Sequence, residues 1–144
     1  MNQKKITVEI SVRAHIETVW KLWTSPKDIV NWNFAAEEWC CPKAENDLRT
    51  GGHFNYRMES RDGQYGFDFH GIYEEVIEKE KIAYVLGDGR KVTIVFTPDG
   101  ENAVITEHFD AENVHSIEQQ QFGWQCILNN FKKYAESLGE EPLK

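Results

Sequence analysis

The stretch SIEQQQFGWQCILNNFKKYAESL, residues 116–138, decides how the rest of the chain is read. Its apolar residues recur at helical spacing and predict one helix of about six turns. With Trp124 at zero on a wheel of 100° per residue, Ile117, Leu128, Phe131, Ala135 and Leu138 fall within about 40° of it. Gln120 and Gln121 lie on the same stripe near its start, and Gly123 lies at its edge. The stripe is therefore apolar for most of its length and polar at one end. Ser116, with Gln119 three residues on, predicts a capping box. Gly139 predicts a stop ahead of an acidic tail, and Gly123 is expected to let helix and sheet approach closely.

Upstream of this helix the punctuation is regular. Gly51-Gly52, Asp62-Gly63, Asp88-Gly89 and Asp99-Gly100 are turn signals. Between them, alternation predicts strands over 53–60, 65–77, 82–86, 91–97 and 103–110, joined closely enough to be antiparallel. Nearer the start, Ile6, Val8, Ile10 and Val12 alternate as a half-buried strand. Ile16, Val19, Trp20 and Trp23 then switch to helical spacing. Ser25-Pro26 predicts a capped second helix ending near Trp32. Residues 33–46 show no period and read as a loop packed by its own aromatics. The order β-α-α-β-β-β-β-β-α segregates strands from helices, an α+β layout.

The bulk properties narrow the function classes. The 144 residues predict one domain. A net charge of −8 argues against a nucleic-acid partner and against adsorption to anionic membranes. No run of 18 apolar residues and no apolar leader core is present, so neither membrane insertion nor secretion is expected. Cys40, Cys41 and Cys126 make no paired framework and read as reduced thiols of a cytoplasmic protein.

Three segments, VRAHIETVWKLWTSPKDIVNW (12–32), DLRTGGHFNYRM (47–58) and GWQCILNNFKKYAE (123–136), together resemble a known family. It is the START-like (SRPBCC, helix-grip) superfamily, and within it the small bacterial proteins similar to the activator of Hsp90 ATPase homologue 1 domain. The resemblance covers nearly the whole chain. It implies a curved antiparallel sheet of about six strands gripping a long C-terminal helix, two short N-terminal helices, and a cavity between sheet and helix. Related folds bind lipids, sterols, hormones or polyketides and some are cyclases, so the resemblance implies a ligand cavity more than any one reaction. The additional N-terminal domain of the eukaryotic Hsp90 activators has no counterpart in the sequence, and Hsp90 is not an expected partner.

Candidate site residues follow from both readings. Trp32, Phe34, Trp39, Phe54, Tyr56, Phe67, Phe69, Tyr73, Tyr84 and Phe96 are more large rings than a thin layer under one helix needs. Any single ring reads as core packing, but the group predicts an aromatic-walled pocket with a few polar anchors. Met58 joins them from a strand face, and Gln120, Trp124 and Leu128 from the helix. Glu107 shares the parity of Ile105 and Phe109, making it the one candidate for an inward carboxylate, paired with Arg57 or Arg90 or raised in pKa by burial. Asp68 is out of phase with its apolar neighbours and is expected outside.

His15, His53, His70, His108 and His115 show no metal-ligand spacing, and neither a metal nor a cofactor is expected. Cys126 falls on the helix face opposite the Trp124 stripe. Asp47 and Arg49 read as a structural pair before Gly51-Gly52. Phe122 projects outward and is a candidate dimer contact, so a monomer or weak homodimer is expected. The expected function is to enclose a small hydrophobic or aromatic molecule. The alternatives are a cyclase- or hydrolase-like enzyme using Glu107 or a cavity tyrosine, and a chaperone-interaction module.

Overall fold

Sequence alternation translates directly into one curled sheet. In a computed structural model describing residues 4–139, the elements are β1 (Lys5–Val12), α1 (Ile16–Thr24), α2 (Pro26–Ile29), β2 (Trp39–Asn46), β3 (His53–Ser60), β4 (Gly66–Ile77), β5 (Lys81–Leu86), β6 (Lys91–Asp99), β7 (Asn102–Asp110) and α3 (Ile117–Gly139). The strands form a seven-stranded sheet in the order β1-β7-β6-β5-β4-β3-β2, every pair antiparallel. It curls as a half-barrel around α3. Every second residue of the central strands faces inward and is buried: Ile82, Tyr84 and Leu86, then Val92, Ile94 and Phe96, then Ala103, Ile105, Glu107 and Phe109. The acidic tail beyond Gly139 lies outside the described residues.

The stretch 33–46, expected as a loop, contains the seventh strand. Lys43 to Asn46 pair with Arg57 to Phe54, and Trp39 and Cys40 with Ser60 and Glu59. Between them Cys41 and Pro42 form a bulge. Alternation breaks there, and a proline without an N–H is tolerated because β2 is an edge strand. Ser25 makes no side-chain cap, and α2 ends at Ile29 rather than near Trp32. Ser116 and Gln119 do form the reciprocal capping box, at 3.0 and 3.1 Å.

Three positions of α3 differ from the wheel. Leu138 is exposed. Gly123 does not mediate a close approach, because a Cβ built there meets nothing within 4 Å. Gln121 faces the free edge of β1 rather than the interior. Its Nε2 donates to Thr7 O, Gln125 Nε2 to Glu9 O, and Lys132 Nζ to Ser11 O, while Glu136 Oε2 accepts from Arg13 N. The flank of α3 thus caps alternate backbone groups of an edge strand, which blunts that edge against pairing with another chain.

Leaning on β1, α3 meets the sheet unevenly. Its C-terminal half is packed tight: Leu128, Phe131 and Ala135 are fully buried. Phe131 lies edge-on against Trp23 and Trp32 at 5.0 and 4.9 Å, and Trp20 and Trp23 contact Phe96 in the same way. The Trp32 indole N–H donates to Leu22 O at 3.0 Å, so the ring is satisfied within this wedge.

Candidate functional site

At the N-terminal half of α3 the sheet stands off and leaves a cavity of about 340 Å³. Strand length explains the gap. Gly71 of β4 pairs with Leu86 at the end of β5 and His70 O still accepts from Gly87 N, but Gly66 to Phe69 run on with only β3 beside them. This overhanging hairpin bends toward α3, where Phe69 meets Trp124 edge-on at 6.1 Å. Trp124 stacks in turn on Phe109, with ring centroids 3.8 Å apart and planes 12° from parallel. Phe67 also lines the cavity yet is 49% exposed, so the cavity reaches solvent beside the hairpin.

Of the expected ligand-binding residues, Trp32, Tyr56, Met58, Phe67, Phe69, Tyr73, Tyr84, Gln120 and Trp124 line this cavity together with Glu107. Five others do not line it. Leu128 and Phe96 belong to the tight packing below it. Phe54 is sealed in the sheet face against Tyr73 and Tyr84. It fits there because its neighbour is Gly71, where a Cβ would press on Val85 O and come within 3.0 Å of the Phe54 ring. Phe34 sits under the Arg61 guanidinium, 5.5 Å from its ring centroid, and Trp39 lies edge-on to Phe67 at 6.0 Å.

The wall also includes Trp23, Thr24, Asn33, Ile82, Arg90, Ile94, Glu112 and Ile127. Ile82 and Ile94 share the inward parity of Tyr84, so that signal was present in the sequence. Arg90 and Glu112 sit in a turn and a loop, where no periodicity points inward.

Polar groups on the wall differ in how they are held. Arg90 pairs with Asp88 through Nε at 2.8 Å. The Glu112 carboxylate accepts from Val114 N, His115 N and His115 Nδ1, each at 2.7 Å, and the His115 bonds hold its pKa down at about 2. Gln120, the buried amide at the polar end of the stripe, is satisfied by protein. Its Oε1 accepts from Glu112 N at 2.9 Å, and its Nε2 donates to Glu112 O and His115 O at 3.1 and 2.9 Å. Gln120 therefore locks the β7–α3 loop to the helix. Burial pushes the Tyr56 and Tyr84 hydroxyls well above their ordinary pKa; for Tyr84 the Glu107 charge is the second cause.

The Tyr84 hydroxyl makes no hydrogen bond among the described residues, and neither does the Glu107 carboxyl group. Glu107 points inward and is 5% exposed, and burial alone pushes its pKa up to about 8. Neither expected arginine reaches it: Arg57 pairs with Glu59 and Asp68 on the outer face, and Arg90 with Asp88. Asp68 is exposed, as its parity predicts. Among the described residues no group of His, Cys, Asp and Glu is arranged to hold a metal. Cys40, Cys41 and Cys126 are free thiols, and burial pushes Cys41 up to about 11. Asp47 and Arg49 pair at 2.9 Å, and Phe122 is exposed. No helix among the described residues is long and apolar enough to cross a membrane.

A half-barrel of antiparallel strands closed over a long C-terminal helix, with a cavity under one end of that helix, is the START-like helix-grip architecture. The chain belongs to the activator of Hsp90 ATPase homolog 1-like family, whose sequence profile matches residues 13–136. An AHSA1-like protein from Aeromonas hydrophila, solved by NMR, is 39% identical, with 98% of this chain and 99% of that one covered at a TM-score of 0.90. A protein from Cytophaga hutchinsonii is 48% identical over 97% of each chain, TM-score 0.81. One from Nitrosomonas europaea, at 16% identity and TM-score 0.78 over 94% and 96%, shares the fold alone. No curated protein matches the chain.

Proposed function

We propose that this protein encloses a small, mostly apolar and aromatic molecule between the N-terminal half of α3 and the inner face of β3, β4 and β5. The observation that carries this reading is the cavity of about 340 Å³, which is walled by Tyr56, Phe69, Tyr73, Tyr84 and Trp124. That volume and that lining suit an apolar ligand of modest size. The chemistry of the wall supports holding rather than transforming. Among the described residues no hydrogen bond or ion pair joins Glu107 to a second titratable group, so the wall holds no assembled acid–base pair. The other carboxylate on the wall, Glu112, is fully engaged by its own loop.

Native mass spectrometry after incubation with a library of uncharged lipophilic molecules tests the reading. A one-to-one adduct is expected on the wild-type protein. It should be lost in Tyr84→Trp, which puts a larger ring into the cavity, provided the variant keeps a dispersed amide spectrum. An adduct that survives equally in that folded variant would place binding elsewhere and overturn the proposal.

A further inference from the structure

Glu107 is the carboxyl group in the cavity wall that the protein leaves unanswered, and the nearby Tyr84 hydroxyl makes no hydrogen bond among the described residues either. Glu107 stands in β7 between Val8 of β1 and Ile94 of β6, so both cross-strand neighbours are aliphatic. No hydrogen bond or ion pair reaches its carboxyl group among the described residues. The groups that face it are few. Tyr84 comes from β5, with Tyr73 and Tyr56 beyond it on β4 and β3; Arg90 and Glu112 come from the turn and the loop at the cavity's polar end. From α3 come only Gln120, Trp124 and Ile127, none of them titratable. The one side-chain oxygen wholly sealed without a partner among the described residues is Asp28 Oδ2. The Glu107 oxygens, equally without a partner, are not sealed and retain access to the cavity space.

A buried polar group without a partner costs folding free energy, on the order of 1–3 kcal/mol, that an aliphatic residue at the same place would not. The neighbours would accommodate one, since Ile105 and Phe109 on the same face are fully buried. We propose that Glu107 is the anchor of the enclosed molecule. It donates a hydrogen bond as an uncharged carboxylic acid, and the molecule is a neutral, aromatic-bodied compound presenting an acceptor oxygen, such as a carbonyl, at its buried end.

This rests on the enclosing function proposed above and specifies its ligand. A protonated carboxyl has one O–H donor, which in an apolar chamber must find an acceptor. A cationic ligand is the competing class. It would require an ammonium and an ionised Glu107 both stripped of water, and it would share the cavity with the Arg90 guanidinium.

Three probes of one shape separate these cases: 9-fluorenone carries a carbonyl oxygen, fluorene no polar atom, and 9-aminofluorene an ammonium. In equilibrium dialysis at pH 6.5, fluorenone is expected to bind about tenfold more tightly than fluorene. Glu107→Gln, whose amide still donates, should keep that advantage. Glu107→Leu should lose it while still binding fluorene. Raising the pH to 9, above the Glu107 pKa of about 8, should remove the advantage from the wild type but not from Glu107→Gln. An advantage that persists in Glu107→Leu overturns the proposal, as does tightest binding of 9-aminofluorene. Equal binding of all three probes refutes the anchor and leaves the enclosing function standing. Binding of none refutes both.

Discussion

Along its C-terminal half, α3 buries Leu128, Phe131 and Ala135 completely in a wedge with Trp23 and Trp32, while along its N-terminal half Trp124 and Ile127 are only partly buried and border a cavity. The same helix and the same sheet produce both regions. What differs is the layer opposite. Below the C-terminal half, α1 and the segment after α2 insert three tryptophans, and Asn130 Nδ2 ties Trp32 O and Phe34 O to the helix. Over the N-terminal half there is no such filler, only the overhanging β3–β4 hairpin and a loop fastened by Gln120. Close packing gives one half its stability, and its local absence gives the other half room for a guest.

Truncation should expose the contrast most strongly. Phe131→Ala, in the packed half, is expected to cost about 3–5 kcal/mol in urea denaturation. Trp124→Ala, whose ring already borders space, should cost less, about 1–2 kcal/mol. Equal costs would mean that the cavity collapses into ordinary core, and the comparison would break.

Glu107 sharpens the contrast through pH. Folding raises its pKa from the ordinary 4.5 to about 8, so between those values the folded chain holds a proton that the unfolded chain has released. Its contribution to stability is therefore greatest below about pH 4.5 and falls as pH rises to about 8, on the order of 1 kcal/mol per pH unit. Glu107→Gln should abolish that slope, read as denaturation midpoints between pH 5 and 8. The carboxylates of Glu112 and Glu136, held at about 2, act in the opposite sense: what they add is present above about pH 4.5 and is lost as pH falls through 2.

Smaller effects probe the loop and the helix. Gln120→Ala should cost about 1–3 kcal/mol by orphaning Glu112 N, Glu112 O and His115 O, and should speed amide exchange in the β7–α3 loop. Gly123→Ala meets open space and should stabilise the protein by about 0.5–1 kcal/mol through helix propensity, without changing any binding.

Most of the sheet could be read from its sequence because inward and outward residues alternate cleanly in β3, β5, β6 and β7. The edge strand β2 could not, since the Cys41-Pro42 bulge erases its period. The inward parity of Glu107 was legible for the same reason that Ile105 and Phe109 were. Its isolation was not, because both arginines are diverted by partners on turns and outer faces, Arg90 by Asp88 and Arg57 by Glu59 and Asp68. The wheel placed Gln120 and Gln121 on one stripe. Adjacent residues stand about 100° apart on a helix, and with α3 resting against β1 that step sends Gln120 to the loop and Gln121 to Thr7. Phe54 and Phe96 have the right parity for the cavity but lie behind it, a matter of depth that alternation does not encode.

The most direct test of a guest site under one half of α3 is an amide chemical-shift map during titration with 9-fluorenone. Perturbations should concentrate at Tyr56, Phe69, Tyr84, Glu107 and Trp124 and spare Val19, Ile105 and Ala135. Shifts confined to the outer surface around Val114 and Phe122, or no shifts at saturating probe, would contradict the account.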